Sequence, residues 1–338
     1  MQYKIVTHKE EIDPARWSDF VFNHPNGNIF QTPDIYKVYE AAKNHSPHVV
    51  ACVDVATGEV LGILVSVILK EYSGLMGKLT TRSIIAGGPL CKNDNPATLE
   101  ALLAAYNKTI KSKAIYSQVR CQHDTSSLKP VFQKHGYRFE EHLNILIDLK
   151  KTEEQLWKEC TSKRRQKIRG AERDGIVVSE VTNAEDRIQA YKILQQVYKR
   201  AKLPFPDFSL FSSAFSVLIS QNKLKVYGAY SENKLVGIRI VLLYRKEVYD
   251  WYAGSFSEYY NLHPNDVLPW KIFCQSQKDG FEIFDFGGAG KPNQPYPVRD
   301  FKKQFGGTFV NFGRYEIIHQ PVVFQLAKLG FKLWQKLK

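Results

Sequence analysis

The chain has 338 residues, a hydrophobic content of 43% and a formal net charge of +13. This length predicts two domains of roughly 150 to 170 residues, and the apolar fraction excludes a globally disordered chain. The positive charge favours an anionic partner: nucleic acid, an anionic membrane surface or a phosphorylated substrate. It does not choose among these three classes.

Targeting and redox signals are weak along the whole chain. We find no apolar run long enough to span a bilayer, and Met1-Gln2-Tyr3-Lys4 leads into a strand-like segment without a signal-peptide core. We therefore expect a cytoplasmic protein. The five cysteines are scattered and odd in number, as is typical of reduced thiols. Cys121-Gln122-His123 has no second ligand pair at metal spacing, so no metal site is predicted.

The first half of the chain alternates predicted helices with predicted strands. Asp13 and Thr32 each precede a proline and fit the N-cap of a helix, because their side chains accept hydrogen bonds from free N–H groups in the first turn. The predicted elements are a strand at Tyr3–Val6, helices after Asp13 and Thr32, a hairpin of Val49–Val55 and Val60–Leu69, a strand at Ser83–Ala86, a helix at Ala97–Lys111, a strand at Ile115–Val119, a helix at Leu128–Lys134 and a strand at Leu143–Leu149.

The second half repeats this order. Thr152 with Gln155 resembles a capping box and opens a helix that continues through the basic run Lys163–Arg169 to Gly175. The elements that follow are a strand at Ile176–Val181, helices from Thr182 to about Lys202 and from Leu210 to Ile219, strands at Leu224–Tyr230, Leu235–Tyr244 and Val248–Ala253, and a helix from Asn265 or Asp266 to Lys278.

A glycine-rich stretch follows this last helix and is the best candidate site. Ile283–Phe286 predicts a buried strand that ends at two glycines, and a short helix with Lys302 and Lys303 precedes Gly306-Gly307 and a strand at Thr308–Tyr315. Backbone N–H groups approach closely beside glycines, and cations on a rigid support suit a group that becomes negative. The alternative is a surface helix with solvated lysines.

The two halves share a hairpin in which an apolar pair precedes Gly-Ile, at Val60-Leu61-Gly62-Ile63 and at Leu235-Val236-Gly237-Ile238. We therefore predict a duplicated α/β (α+β) domain, with one copy in residues 1–150 and the other in residues 151–318. Residues 319–338 form a separate basic segment. Val322 to Leu337 predict an amphipathic helix that lies on an anionic bilayer or docks on the protein, and the sequence does not distinguish these.

This order resembles two tandem GNAT acyltransferase domains, and its second half resembles the Fem family of peptidoglycan aminoacyltransferases. No single motif is specific, but their order covers nearly the whole chain. The motifs that carry the resemblance are Phe30-Gln31-Thr32-Pro33 with Lys37, the segment from Trp157 to Gly175, Tyr252-Ala253-Gly254-Ser255, His263-Pro264-Asn265-Asp266, Asp285-Phe286-Gly287-Gly288 and Phe301-Lys302-Lys303-Gln304-Phe305-Gly306-Gly307.

The resemblance implies transfer of an amino acid from aminoacyl-tRNA to the stem-peptide amine of a nucleotide-linked or lipid-linked muropeptide, with no cofactor. Lys302 matches the family lysine at the reaction centre, Lys37 a lysine that binds substrate phosphate, and Tyr252 a tyrosine near the acceptor. Lys37 as a surface residue and Tyr252 as a packing residue are the alternatives. The other predicted substrate-binding residues are Asp285, Arg299 and Phe301.

Two features depart from related patterns. Nothing in the sequence indicates the long helical arm that some Fem proteins insert, so tRNA would have to bind the body of the protein. The candidate tRNA-binding cations are Lys163, Arg164, Arg165, Lys167, Arg169 and Arg173, with a solvated helix face as the alternative. The chain also lacks a Gln/Arg-x-x-Gly-x-Gly/Ala loop, the pyrophosphate cradle expected of acetyl-CoA enzymes with this fold.

Two other functions are compatible with the sequence. One is an N-acyltransferase that uses acyl-CoA and a sugar or cell-envelope amine. The other is a non-catalytic module that binds nucleic acid or membrane through its basic surface. Neither the amino acid transferred nor a general base is evident, and the oligomeric state is left open. Peripheral contact with the inner face of the cell membrane is expected if the acceptor is lipid-linked.

Overall fold

The computed structural model describes residues 2–70 and 80–327. The chain forms two compact units. The first contains Met1–Glu141, Ser212–Val217 and Phe312–Lys338, and the second contains His142–Phe211 and Leu218–Asn311.

Each unit is built on one sheet flanked by helices. The strands are β1 (Tyr3–Val6), β2 (His45–Asp54), β3 (Val60–Leu69), β4 (Arg82–Gly87), β5 (Leu90–Cys91), β6 (Tyr116–Cys121), β7 (Arg138–Glu140), β8 (Asn144–Asp148), β9 (Val177–Glu180), β10 (Leu224–Ser231), β11 (Lys234–Tyr244), β12 (Glu247–Ser255), β13 (Ile283–Gly288), β14 (Thr308–Val310) and β15 (Arg314–Ile318). The α-helices are α1 (Pro14–Asn23), α2 (Pro33–Ala41), α3 (Pro96–Ile110), α4 (Lys129–Lys134), α5 (Glu153–Glu159), α6 (Ser162–Arg173), α7 (Ala184–Arg200), α8 (Phe208–Leu218), α9 (Pro264–Lys278) and α10 (Pro297–Lys302). The predicted mixed α/β architecture is confirmed.

The first unit has the strand order β1-β2-β3-β4-β6-β15-β7, with β5 paired to β3. Its pairs are antiparallel except β4 with β6. Helix α3 packs on this sheet because its apolar residues recur at helical spacing, and Leu99, Leu102, Leu103 and Tyr106 are all fully buried. The side chain of Asn95 caps the start of α3.

The second unit has the strand order β14-β8-β13-β12-β11-β10-β9, and its parallel pair is β12 with β13. Four phenylalanines form the centre of its core. Phe273 on α9 makes edge-on ring contacts with Phe284 and Phe286 of β13 and with Phe305, at centroid distances of 4.9 to 5.9 Å. Such pairs fix the position of β13 against α9, because aromatic rings prefer edge-to-face contacts.

The two compact units do not follow the predicted boundaries at residues 150 and 318. Strand β8 precedes residue 150 but pairs with β13 and β14, so it belongs to the second unit. Strand β15 lies near the end of the chain but pairs with β6 and β7 of the first unit. Each sheet therefore contains one strand from the other half of the sequence.

Two predicted elements are divided in the structure. The single strand predicted at Thr308–Tyr315 is β14 and β15, because Gly313 between them has φ +70° and a Cβ there would collide with Phe139. The continuous helix predicted through Lys163 is α5 and α6. Thr161 interrupts it by accepting a hydrogen bond from the backbone N–H of Arg164 and starting a new helix.

The C-terminal amphipathic helix lies mostly outside the described residues. Residues 321–327 are helical, and residues 328–338, with most of the predicted basic face, are not described. Over residues 2–70 and 80–327, no helix combines the length and apolar character needed to cross a bilayer.

Candidate active site

The parallel strands β12 and β13 pair over only three residues. Their last paired residues are Tyr249 and Asp285, although β12 continues to Ser255 and β13 to Gly288. In the first unit, the parallel pair β4 and β6 stays in register along the whole of both strands. Beyond Tyr249 and Asp285 the backbone of β12 has no pairing partner in β13. We call this end of the strand pair the opening, and the pair β4 and β6 of the first unit has no such break.

A β-bulge marks the start of this opening. Val241 of β11 lies opposite Asp250 and Ile240 lies opposite Tyr252, so Trp251 is an extra residue in β12. Bulges bend a strand and increase its twist, and they redirect the side chains around them. The bulge therefore accounts for the end of the pairing between β12 and β13.

Lys302 on α10 reaches the same end of β13. Its Nζ donates hydrogen bonds to the carbonyl oxygens of Phe286 at 2.5 Å and Gly288 at 2.9 Å. Gly287, between these two residues, has φ +68°, a conformation that suits glycine. An ammonium group has three N–H donors, so two hold Lys302 in place and one is left for an oxygen atom of a substrate.

The charge on Lys302 is poorly solvated. Burial lowers the pKa of Lys302, the nearby carboxylate of Asp250 raises it, and Arg239 lowers it. A cation in a partly dehydrated position interacts more strongly with a developing negative charge than a cation in water does. This environment suits the stabilisation of an oxyanion.

Arg239 and Asp250 form a buried ion pair beside this lysine. Arg239 Nη1 donates to Asp250 Oδ2 at 2.5 Å, and the two side chains are 4% and 8% exposed. The guanidinium also lies 5.7 Å from the ring centre of Phe286. Sequence analysis missed both residues. The signal was present, because each is a charged residue inside a strongly apolar strand.

The match to known proteins is clearest over this part of the chain. Residues 159–303, which include Lys302, match the family described as "Acetyltransferase (GNAT) domain". The matched residues lie mostly in the second unit, and the predicted acyltransferase class is confirmed. No curated protein matches the sequence.

Solved structures extend the similarity to the whole chain. The structure of FemX is similar with a TM-score of 0.72 and 16% identity, over 96% of this chain and 99% of that chain. The C-terminal domain of a putative lysylphosphatidylglycerol synthetase from Agrobacterium fabrum has a TM-score of 0.59 and 16% identity, over 95% of each chain. A tandem GNAT protein from the clavulanic acid biosynthesis pathway has a TM-score of 0.57 and 10% identity, over 94% of this chain and 99% of that chain. The predicted tandem GNAT fold of the Fem type is confirmed.

Asp285, predicted to bind substrate, has a structural role in the second unit. It is 1% exposed and accepts hydrogen bonds from the Gly287 N–H at 2.7 Å and from Asn144 Nδ2 at 3.1 Å. Burial raises the pKa of Asp285, although these hydrogen bonds and Lys302 oppose the rise. The carboxyl group therefore fixes the glycine turn that supports Lys302, and its predicted contact with substrate stays a prediction.

The side chains of Arg299 and Phe301 also make contacts within the protein. Arg299 donates to the carbonyl oxygens of Ala289 at 3.3 Å, Lys291 at 2.6 Å and Gln294 at 2.5 Å, so it holds the loop after β13. The Phe301 ring lies 4.2 Å from the guanidinium of Arg164. These contacts give both residues a supporting role, and their predicted substrate binding stays a prediction.

Tyr252 follows the bulge in the unpaired part of β12. Its ring packs among Tyr198, Phe205, Phe211 and Trp251 at centroid distances of 4.9 to 6.5 Å. The residue is half-buried, so the ring contributes to an aromatic wall beside the opening. Its predicted contact with the acceptor stays a prediction.

Lys37 belongs to the first unit. It is on α2 with an exposed side chain, 3.9 Å from Asp34. The preceding Gln31 is fully buried and binds the backbone of Val65 and the carbonyl oxygen of Ala86, which attaches this segment to β3 and β4. An exposed lysine on a fixed helix is compatible with phosphate binding, and that role stays a prediction.

The basic run on α6 does not form one cationic face. Arg164 is 1% exposed, pairs with Asp266 and donates to the Phe301 carbonyl oxygen at 3.1 Å, so it cannot contact tRNA. Arg165 donates to three carbonyl oxygens at the C-terminal end of α5, a cap for that helix. The exposed members of the run are Lys163, Arg169 and Arg173, and Lys167 is half-buried, 3.9 Å from Asp266.

Proposed function

We propose that this protein is an aminoacyltransferase that moves an amino acid from aminoacyl-tRNA to the stem-peptide amine of a peptidoglycan precursor. The observation that carries the proposal is the Lys302 ammonium, held by two carbonyl oxygens where β12 and β13 separate. The fold similarity to FemX over nearly the whole chain supports the same reaction class. The similarity to a putative lysylphosphatidylglycerol synthetase domain also supports it.

The chemistry follows from the third N–H of Lys302. The acceptor amine attacks the ester carbonyl carbon of the donor, and the carbonyl oxygen becomes an oxyanion. Lys302 donates a hydrogen bond to that oxygen as its charge develops. The intermediate then collapses: the C–N bond is kept, the C–O ester bond breaks, and the proton lost by the amine is taken up by the departing ribose oxygen. No cofactor is needed.

The remaining cations suit the polyanionic substrates of this reaction. Lys37 would bind a phosphate of the nucleotide-linked or lipid-linked acceptor, and Lys163 and Arg169 would contact the tRNA backbone. Since each phosphate contact releases counterions, tRNA binding is expected to weaken steeply with salt. A lipid-linked acceptor would bring the protein to the membrane surface.

The test compares aminoacyl transfer by the Lys302→Ala variant with aminoacyl transfer by the Lys303→Ala variant. Lys303 is the adjacent lysine, exposed and paired with Asp300 at 3.2 Å, so it is a matched control for the loss of one positive charge. Aminoacyl-tRNAs are screened against nucleotide-linked and lipid-linked muropeptides, and products are read by mass spectrometry. We expect Lys302→Ala to lower turnover by about 100-fold or more, as loss of an oxyanion donor does, and Lys303→Ala to leave turnover nearly unchanged. Equal turnover in both variants would refute the assignment of Lys302.

A second candidate is an N-acyltransferase that uses acyl-CoA, and the match to the acetyltransferase (GNAT) domain family favours it. The helix that follows β12 argues against it. Helix α9 begins at Pro264, which has no N–H, and the buried carboxylate of Asp266 lies in its first turn, where a pyrophosphate would need N–H donors. Calorimetry with acetyl-CoA separates the two, because tight binding would favour the acyl-CoA donor.

A further inference from the structure

The ion pair beside Lys302 has unfilled hydrogen-bonding capacity. Asp250 Oδ2 is bound by Arg239, whereas Asp250 Oδ1 is buried and has no hydrogen-bond partner. Arg239 Nε is also buried without a partner, so the pair is held by one contact and not by a two-point fork. An unpartnered carboxylate oxygen away from water is costly, and such oxygens in folded proteins usually have a donor.

The position of this oxygen links it to the reaction centre. Asp250 is the first residue of β12 beyond its last pairing with β13, and it precedes the bulge at Trp251. Lys302 is bound to β13 just beyond the same point, at Phe286 and Gly288. The carboxylate acts on the pKa of Lys302 more strongly than any other charged group does. An acceptor and a cationic donor therefore flank the opening between the two strands.

An α-aminoacyl group carries the complementary pair. Its ammonium and its ester carbonyl are attached to adjacent carbon atoms, so a site that binds both needs an anionic acceptor close to a donor. We propose that Asp250 Oδ1 accepts a hydrogen bond from the α-ammonium group of the aminoacyl donor while Lys302 binds the donor's carbonyl oxygen. This inference rests on the proposed function and specifies which feature of the donor the site recognises.

The alternative is that Asp250 Oδ1 binds the acceptor amine, and the chemistry of the reaction disfavours it. The acceptor amine must be neutral to attack, and a nearby carboxylate stabilises the protonated form of an amine. A carboxylate therefore suits the amine that does not react, which is the α-amine of the donor. The consequence is selectivity: donors without a free α-amine leave Asp250 Oδ1 unpaired and are poor substrates.

The experiment compares two donors that differ only at the α-amine. Unfractionated aminoacyl-tRNA and the same preparation after N-acetylation are offered with a muropeptide acceptor, and transfer is measured by mass spectrometry. We expect the unmodified protein to prefer the free-amine donors by about 100-fold or more. A donor that leaves a buried charged group without its partner is transferred more slowly by orders of magnitude. Equal use of both donors would overturn the inference while leaving aminoacyl transfer intact.

Substitution identifies the carboxylate responsible. Asp250→Asn is expected to reduce the preference for free-amine donors by at least about tenfold, since an amide keeps the shape and loses the charge. Asp279→Asn is the control, because Asp279 is a carboxylate of the same unit paired with Lys225 at 2.7 Å, and it should keep the preference. An unchanged preference in folded Asp250→Asn would refute the assignment. If that variant does not fold, the wild-type donor comparison decides.

A binding measurement separates this inference from the proposed function. The twenty amino acid amides and their N-acetyl derivatives are tested with wild type and Asp250→Asn by saturation-transfer NMR. If wild type transfers from no donor, the proposed function fails, and the amides decide the inference. Binding of a free amide that is lost on N-acetylation and in Asp250→Asn supports it, whereas the absence of such a difference overturns it.

Discussion

Several charged residues of the second unit are buried, and their sequence neighbours do not predict this. Arg164, Arg239 and Asp285 are each at most 3% exposed, although charged side chains usually lie at the surface. Each has a specific partner: Asp266, Asp250 and the Gly287 N–H, respectively. Because the Asp285 carboxyl group is held without water, its titration affects stability.

Asp285 gives a prediction for the pH dependence of folding. Burial raises its pKa above the ordinary value of 3.8, so the folded state binds this proton more tightly than the unfolded state does. By linkage, its contribution to stability is largest at low pH and is lost as the pH rises above 3.8. In Asp285→Asn, the Asn oxygen still accepts from Gly287, and the fall in the free energy of unfolding between pH 4 and 7 should be shallower. Urea denaturation across this range measures the effect, and an identical slope in both proteins would contradict it.

At the scale of elements, the site depends on the loop between β13 and α10. Arg299 joins three carbonyl oxygens of this loop, and Leu143 next to β8 exchanges backbone hydrogen bonds with Ala289 and Gly290. The loop starts at Gly288, whose carbonyl oxygen holds Lys302. The conformation of this loop therefore determines where the Lys302 ammonium group lies.

Arg299→Ala should make this loop more mobile, and we expect the effect on turnover to arise from the loop and not from a lost contact with the substrate. We expect a fall in turnover of about 10- to 100-fold, because a displacement near 1 Å at a reacting group has effects of this size. Hydrogen exchange should increase across residues 286–296, and Lys303→Ala, on the next turn, should change neither property. Lost turnover with unchanged exchange would instead indicate direct contact between Arg299 and substrate.

At the scale of the whole molecule, the two units each depend on a strand from the other half of the sequence. Strand β15 lies between β6 and β7 in the first unit, and its Tyr315 is fully buried with its ring stacked on Phe132 at 4.0 Å. Removal of one such aromatic residue costs about 3–5 kcal/mol, against a typical total stability of 5–15 kcal/mol. The first unit should therefore not survive the loss of β15.

Truncation tests this dependence. Deletion of residues 312–338 removes β15, and we expect rapid hydrogen exchange in β6 and β7, although both strands lie far from β15 in the sequence. Deletion of residues 321–338 keeps β15 and serves as the control, with β6 and β7 still protected. Protection of both strands in the shorter protein would show that the first unit folds without β15.

The sequence by itself determined most helices and strands, the duplicated fold and the candidate Lys302. Caps such as Asp13 and Thr32, glycine turns such as Gly287 and the apolar periodicity of α3 act within a few residues, so they can be recognised locally.

Only the tertiary structure decided which strand completes each sheet, which cations are buried and that Asp250 lies beside Lys302. Strand pairing and burial depend on contacts between residues far apart in the chain. For example, Arg164 and Lys163 are neighbours in a basic run, yet one is buried against Asp266 and the other is exposed. The helix turns each successive side chain by about 100°, and only the packing partner determines which direction is the interior.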